Sequence, residues 1–272
     1  MLDKESKLEL LKGELQRLGC VAIAFSGGVD STFLLKVALD VLNENVLAIT
    51  NISPIIPSYD RELPLNLARL LGAECVITYA NPLDDSYFLS NPSDRCYICK
   101  RNLFTTIKKK AEEKGFSILL DGANADDIKS HEWGMKAARE IGVRSPLMEV
   151  GLTKVEIREL AKKMNLPNSD KPSNTCLVTR IPFNEKISSK KLAMIDEAES
   201  YLRTLGIKQV RVRCHGRIAR IEVSLEDFDK VLGARAQIVD HLKKIGFVFV
   251  DIDLEGYRAG SLSELFDRKD VE

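Results

Sequence analysis

Two glycines and four hydrogen-bonding side chains are crowded into residues 26–32, directly after the apolar run 21–25. That run predicts a strand, and residues 33–42 predict a helix, so the glycines form the turn between them. Glycine lets the backbone approach an oxyanion closely, and a helix start offers unpaired N–H groups with a positive dipole end. The segment therefore predicts a phosphate-binding loop made of Ser26, Gly27, Gly28, Asp30, Ser31 and Thr32.

Asp30 gives this loop a negative charge that would repel a bare phosphate. Its presence predicts a Mg²⁺ ion that bridges the carboxylate to pyrophosphate oxygens. The loop lacks the lysine that a Walker A loop requires, and it is not a GxGxxG motif. An ordinary strand-to-helix turn, with a glycine pair and an Asp or Ser cap, remains the alternative.

A second acidic turn, residues 121–127, follows the apolar run 117–121. Open α/β sheets bind their ligands beyond the carboxyl ends of the strands, so Asp126 is a candidate for holding Mg²⁺ or orienting a nucleotide. Lys154, at the start of a helix that opens at Thr153, is a candidate for reaching the phosphates. A helix cap for Asp126 and a solvated surface position for Lys154 remain open.

Three cysteines have neighbours that favour chemistry over packing. Cys96 and Cys99 form a CxxC at a predicted helix start, where the dipole and nearby basic residues favour thiolates, and Cys176 lies in a polar loop. Such thiols can bind zinc with a fourth ligand, form a redox disulfide, bind a [4Fe–4S] cluster with one open iron, or bind no metal. The apolar neighbours of the other cysteines predict small buried side chains at Cys20, Cys75 and Cys214.

Short apolar runs and amphipathic stretches alternate through the elements that must position these residues. Strands are predicted at 21–25, Val46–Asn51, 75–79 and 117–121, and helices at 1–19, 33–42, 95–114, 128–140 and 153–165. Beyond a loop at 167–182 come helix 190–205, strands 209–214 and Ile218–Val223, helix 227–245 and strand 247–254. This order predicts an α/β protein with a parallel, doubly wound sheet in residues 1–175 and a smaller α+β domain in residues 176–272.

Composition limits the classes of partner that are expected. The chain has 272 residues, 40 Lys plus Arg and 40 Asp plus Glu, so its formal net charge is zero and a nucleic-acid partner is not expected. No apolar run is long enough to span a bilayer or to form a signal peptide, so we expect no membrane association and a cytoplasmic protein with reduced thiols.

The Ser-Gly-Gly-Val-Asp-Ser-Thr string of residues 26–32 resembles the PP-loop of the ATP pyrophosphatases, which split ATP into AMP and pyrophosphate. Three further runs, 171–183, 211–216 and 253–258, extend the likeness over nearly the whole chain to the LarE family of ATP-dependent sulfur transferases. The resemblance implies an adenine nucleotide α-hydrolase-like fold and ATP as cosubstrate. It also implies a nicotinate-derived mononucleotide as substrate, in the synthesis of the nickel-pincer nucleotide of lactate racemase.

The resemblance also implies roles for the cysteines. Some members sacrifice the sulfur of one cysteine, at the position of Cys176, and are left with dehydroalanine. Others carry three cysteines and are thought to deliver sulfide from an iron–sulfur cluster. With Cys96 and Cys99 beside Cys176, the pattern favours a [4Fe–4S] cluster on these three ligands, and the sacrificial route stays open.

Adenylation of a carboxylate would use Asp30 in the loop, and the sulfur step would use Cys176. A substrate with carboxylates and a phosphate needs cations, and arginine suits both groups, so Arg180, Arg211 and Arg213 are substrate-binding candidates. Arg180 is also a catalytic candidate because it is near Cys176 in sequence. Glu199 matches an acid that the family uses together with Arg211. Exposed arginines and a solvated helix face for Glu199 remain the alternatives.

Two other functions stay open. A tRNA thiolase would combine the same loop with a CxxC and a distant cysteine, although zero net charge counts against it. A nucleotide-binding module would hold ATP without splitting it. The resemblance further implies a homo-oligomer, and the sulfur step implies a sulfide donor.

Overall fold

Four apolar runs of the N-terminal half become neighbouring strands of one sheet in the computed structural model, which describes residues 2–128, 132–172 and 175–258. The strands are β1 Val21–Ala24, β2 Val46–Asn51, β3 Glu74–Thr78 and β4 Leu119–Leu120. They pair in parallel in the order β3-β2-β1-β4, and each boundary lies within two residues of its predicted place. The predicted parallel α/β sheet is confirmed.

Helices cover both faces of this sheet. Successive strand residues point to opposite faces, and Val21 and Ile23 join one buried apolar cluster while Ala22 joins another. The helices up to residue 163 are α1 Lys4–Leu18, α2 Val29–Leu42, α3 Leu63–Leu71, α4 Ser86–Leu89, α5 Arg95–Glu113, α6 Glu132–Ile141, α7 Pro146–Glu149 and α8 Lys154–Lys163. The first cluster receives side chains from α1, α2 and α8, and the second receives them from α5 and α6. None of the helices in the described ranges combines the length and the apolar character needed to span a bilayer.

The helix starts show which local predictions hold. The capping box of Thr153 and Glu156 is present, with each side chain bonded to the other residue's backbone N–H. Helix α2 begins four residues earlier than predicted, at Val29, because Gly28 serves as its N-cap and Asp30 lies in its first turn. The helix predicted at 128–140 begins at Glu132, and residues 129–131 lie outside the described residues.

The chain folds into two compact units. The first contains Met1–Ser53, Asp60–Asp84 and Asp94–Asn174, and the second contains Pro54–Tyr59, Asp85–Ser93 and Thr175–Glu272. Asn91 fastens one early segment to the second unit, because its side-chain nitrogen donates to the carbonyls of Pro182 (2.7 Å) and Glu185 (3.0 Å). The Leu177 amide donates to Ile55 in the other early segment. The domain boundary between residues 175 and 176 stays a prediction.

The second unit is built on a small three-stranded sheet. Its elements are α9 Ser189–Thr204, β5 Val210–His215, β6 Ile218–Val223, α10 Phe228–Gly233, α11 Arg235–Ile245 and β7 Phe249–Ile252. The predicted hairpin is confirmed, with β5 and β6 antiparallel and Gly216 at φ +60° in the turn, and β7 pairs in parallel with β6. The prediction of a single helix at 227–245 is wrong, because α10 ends at Gly233 and α11 begins at Arg235. Apart from proline, glycine is the residue type that least favours a helix interior.

Candidate functional site

The predicted phosphate loop lies between β1 and α2 in the first unit, at the carboxyl edge of the parallel sheet. Gly27 has φ +70°, and a Cβ atom there would lie 3.1–3.2 Å from the backbone nitrogen, Cα and Cγ of Pro64. Both the backbone conformation and the close approach of α3 therefore require glycine. Gly28, at the N-cap, leaves the first amides of α2 without a side-chain cap.

Three residues of the loop form long, weak hydrogen bonds with one another. The Ser26 and Ser31 hydroxyl oxygens are 3.1 Å apart, the Gly28 amide donates to Ser26 Oγ at 3.3 Å, and Ser31 Oγ donates to the Gly28 carbonyl at 3.2 Å. Hydroxyl groups rotate, so these donors can turn to an anion with little cost. Thr32 is buried, and its hydroxyl accepts a hydrogen bond from Asn168.

Asp30 is the charged group of the loop. Its Oδ2 atom pairs with the Lys154 ammonium group, whereas its Oδ1 atom is buried and has no hydrogen-bond partner. Burial raises the pKa of the Asp30 carboxyl, and the Lys154 charge opposes that rise only in part. A buried carboxylate oxygen with no partner is a suitable ligand for Mg²⁺, so the loop fits the predicted metal ion.

Asp126 and Lys154 meet at the start of α8. The Lys154 amide donates to Asp126 Oδ2 at 2.8 Å, and the Lys154 side chain reaches Asp30. The structure thus connects three of the predicted nucleotide-binding residues, Asp126, Lys154 and Asp30. The Asp126 carboxylate caps a helix here, and its contact with a metal ion or a nucleotide stays a prediction.

Two residues at this edge were missed by the sequence analysis. A Cβ on Gly122 would lie 2.9 Å from the Ser31 amide nitrogen, so only glycine lets the end of β4 lie against the first turn of α2. Asn168 Nδ2 donates to the Gly27 carbonyl at 3.1 Å and to Thr32 Oγ1 at 2.9 Å. Gly122 follows a predicted strand directly, which could have identified it, but Asn168 lies in a segment without periodicity.

The CxxC motif occupies the first turns of α5. Cys96 is exposed and Cys99 is half-buried, and both belong to the first unit. Tyr97 between them packs edge-on against Trp133 at 6.5 Å between ring centroids and donates to Glu140. Among the described residues, no three His, Cys, Asp or Glu side chains lie close enough to share a metal ion. The predicted metal ligands therefore stay a prediction.

Cys176 belongs to the second unit, where it is the half-buried N-cap of a 3₁₀ helix, Leu177–Arg180. Its carbonyl accepts hydrogen bonds from the Arg180 guanidinium (2.9 Å) and from the Thr179 hydroxyl (2.8 Å). The backbone of the predicted sulfur-transfer residue is therefore held by the helix that follows it.

Arg180 and Glu199 form a buried ion pair in the second unit, with both side chains fully inaccessible to solvent. Arg180 Nε and Nη2 donate to the two carboxylate oxygens at 2.8 and 3.0 Å, and the Val212 amide also donates to Glu199. The alternative of a solvated helix face for Glu199 is wrong. Because the Arg180 guanidinium holds the Cys176 turn, its geometry supports a positioning role, and its contact with substrate stays a prediction.

Arg211 and Arg213 are also buried, so the alternative of exposed arginines is wrong. The Arg211 guanidinium lies 5.3 Å from the centroid of the Tyr257 ring, and burial, followed by the Arg180 charge, lowers the pKa of Arg211. Arg213 donates to Glu222 at 2.7 Å and to the carbonyl of Thr179 at 2.7 Å. Arg213 thereby ties β5 to the 3₁₀ helix Leu177–Arg180.

Replacing Arg180 by methionine is expected to lower the free energy of unfolding by about 3–5 kcal/mol, because Glu199 would keep a buried charge without its partner. The double variant R180M/E199Q should recover part of this loss, since neither charge remains. Arg217→Met, at an exposed position of the hairpin turn, is the control and should change stability by about 0.5 kcal/mol or less. Urea denaturation measures all three, and equal stability of R180M and R217M would contradict the expectation.

Comparison with known proteins gives matches along nearly the whole chain. An uncharacterised protein of Synechocystis sp. is 38% identical over 97% of this chain and 99% of its own length. Pyridinium-3,5-bisthiocarboxylic acid mononucleotide synthase of Lactiplantibacillus plantarum is 34% identical over 95% of this chain and 94% of the synthase. An uncharacterised protein of Methanocaldococcus jannaschii is 32% identical, with 88% and 91% covered. No family model matches the chain.

Proposed function

Because the chain belongs to the LarE family of ATP-dependent sulfur transferases, and is therefore an enzyme, we propose that it converts a carboxylate of pyridinium-3,5-biscarboxylic acid mononucleotide to a thiocarboxylate. The observation that carries this proposal is the similarity to the Lactiplantibacillus synthase over nearly the full length of both chains. The product named for that synthase contains two thiocarboxylates, so its precursor carries carboxylates at the same ring positions.

The first step of the proposed reaction is adenylation. A carboxylate oxygen of the substrate attacks the α-phosphorus of ATP, and the bond from that phosphorus to the oxygen bridging the β-phosphate breaks. Pyrophosphate departs, and the substrate becomes an acyl adenylate. The loop from Ser26 to Thr32 binds the outer phosphates through backbone N–H groups and hydroxyls. Asp30 would hold Mg²⁺, and the bound ion would screen the charge of the departing pyrophosphate. The Lys154 ammonium group lies beside the loop, so its ion pair with Asp30 would be replaced by an ion pair with a phosphate oxygen.

The second step is attack by sulfur on the carbonyl of the adenylate, with AMP as the leaving group. We propose Cys176 as the residue that gives or holds this sulfur. Three thiols are chemically suited to a [4Fe–4S] cluster on Cys96, Cys99 and Cys176. The described residues contain no three-ligand group. In the second candidate route the Cys176 thiolate attacks the carbonyl and AMP leaves. The Cα proton of Cys176 is then lost and its Cβ–S bond breaks, which releases the thiocarboxylate and leaves dehydroalanine.

In the second unit, the proposed substrate-binding residues are Arg180, Glu199, Arg211 and Arg213. Arg180 and Glu199 neutralise each other in their ion pair, so the burial of Arg211 and Arg213 is what supports recognition of an anionic substrate. A guanidinium removed from water interacts more strongly with carboxylates and phosphates than an exposed one. The proposal also includes an adenine nucleotide α-hydrolase-like topology, a homo-oligomeric assembly, a cytoplasmic location and a separate sulfide donor.

Anaerobic incubation with ATP, Mg²⁺ and the dicarboxylate mononucleotide is expected to release AMP and pyrophosphate. The same incubation with tRNA in place of the mononucleotide should release neither, since zero net charge offers little attraction for a polyanion. Chromatographic separation of the nucleotides measures both reactions. Formation of ADP and orthophosphate, or AMP release only with tRNA, would overturn the proposed function, and no product with either substrate would indicate a binding module.

A further inference from the structure

We propose that Asn168 is a positioning residue for the phosphate loop, one that fixes the loop in the shape that binds ATP. The inference rests on the function proposed for that loop. Asn168 is 5% exposed and follows Pro167 in the segment after α8. Nothing in its sequence surroundings identifies it, so the proposal depends on its contacts alone.

The Asn168 amide bonds to the loop on both sides of the N-cap glycine. Its Nδ2 atom donates to the carbonyl of Gly27 at 3.1 Å and to the hydroxyl of Thr32 at 2.9 Å. A carbonyl can only accept, so the amide nitrogen, and not the amide oxygen, must face the loop. The orientation of the side chain is therefore fixed by chemistry.

The two contacts of Gly27 lie at different parts of the residue. Pro64 lies against its Cα, where a Cβ would be 3.1–3.2 Å away, and Asn168 holds its carbonyl. Glycine reaches many backbone conformations, so a glycine turn without such contacts would not keep its amides directed at an anion. Loss of the Asn168 bond should therefore let the peptide between Gly27 and Gly28 rotate.

The segment that carries Asn168 is itself held in place. Arg158 of α8 donates to the carbonyls of Ser169 (3.0 Å) and Lys171 (2.6 Å), and Lys171 forms an ion pair with Asp60. A side chain on a braced turn can position a neighbouring loop more accurately than one on a free turn.

The acceptor side of the Asn168 amide takes no part in these contacts. Its Oδ1 atom is buried and has no hydrogen-bond partner among the described residues. The donor side of the amide alone holds the loop, so removing that donor tests the proposal directly.

Two substitutions distinguish the loss of the Asn168 hydrogen bonds from a change of charge and from a loss of folding. Asn168→Leu removes the donor without adding charge, and we expect it to weaken ATP binding roughly tenfold or more at every pH, the equivalent of one hydrogen bond in a dry site. Asn168→Asp keeps the shape but sets a carboxylate against the Gly27 carbonyl. Its ATP affinity, relative to wild type, should be weakest at high pH and recover as pH falls, because a protonated acid can donate again. Asn45→Asp, the same change at an exposed turn, should bind ATP normally.

Calorimetric titration with ATP and Mg²⁺ measures these affinities without any turnover. If Asn168→Leu binds ATP within threefold of wild type, or if Asn168→Asp does not recover at low pH, the positioning role is wrong. Asn168→Asp decides the question should the leucine variant not fold, which thermal unfolding would show. Wild type that binds ATP but releases no AMP would overturn the proposed function and leave the role of Asn168 in ATP binding intact.

Discussion

An Asp30→Asn variant is expected to release AMP and pyrophosphate roughly 10²–10³ times more slowly than wild type, the usual loss when one charge-stabilising group leaves an active site. The change keeps the size of the side chain and removes its negative charge, so the buried position of Oδ1 no longer attracts a cation. It also deprives Lys154 of its carboxylate partner. A pyrophosphate assay under saturating ATP measures the loss.

The same variant should be no less stable than wild type at neutral pH. Burial raises the pKa of the Asp30 carboxyl. A carboxyl whose pKa is higher in the folded protein than in the unfolded one stabilises the fold fully at pH values below the unfolded pKa, about 3.9. This stabilisation is lost as pH rises through the folded pKa. The Asp30 carboxyl therefore stabilises the fold less at neutral pH than in acid, and asparagine, which has no titrating group, avoids this loss.

Asp40→Asn is the matched control for Asp30, because Asp40 lies in the same helix with an exposed side chain paired to Lys36. It should keep wild-type activity. If the two variants turn over equally fast, Asp30 has no part in the reaction and the proposed loop loses its metal ligand.

A Cys176→Ser variant is expected to keep AMP and pyrophosphate release while the thiocarboxylate product falls below detection. The groups proposed for adenylation lie in the first unit, and a serine oxygen offers no sulfur, so we expect water to hydrolyse the adenylate instead. Mass spectrometry of the nucleotide product measures the outcome. Cys20→Ser, at a half-buried position in the first unit, is the control and should still form thiocarboxylate.

The mass of wild-type protein after one turnover separates the two sulfur routes. Loss of hydrogen sulfide from Cys176 means that the residue gave up its own sulfur, and an unchanged chain means that sulfide was carried. Thiocarboxylate formed by Cys176→Ser at the wild-type rate would exclude Cys176 from either route.

The sheet and the loop could be predicted because their patterns are local. The apolar run Val46–Asn51 has matching predicted and observed ends, and the glycine pair after β1 predicts the strand-to-helix turn. The break at Ala234 was missed because one glycine within an amphipathic stretch lowers helix propensity without forbidding a helix.

The rest of the candidate site depends on neighbours that are distant in the chain. Asn168 bonds to Gly27 across 141 positions, and no local pattern marks either residue as the partner of the other. Glu199 lies on a helix with many charged residues, where a solvated face is the ordinary expectation. Only the fold shows that it is buried against Arg180.

The second unit incorporates two segments that a ribosome makes early, and this affects how the protein is made and divided. Asn91 leaves the ribosome long before the carbonyls of Pro182 and Glu185 that it will bond, so the unit cannot complete itself until most of the chain has emerged. Cutting between residues 175 and 176 would leave both fragments with orphaned polar groups. A chimaera that exchanges this unit between relatives must therefore transplant three separate stretches of sequence.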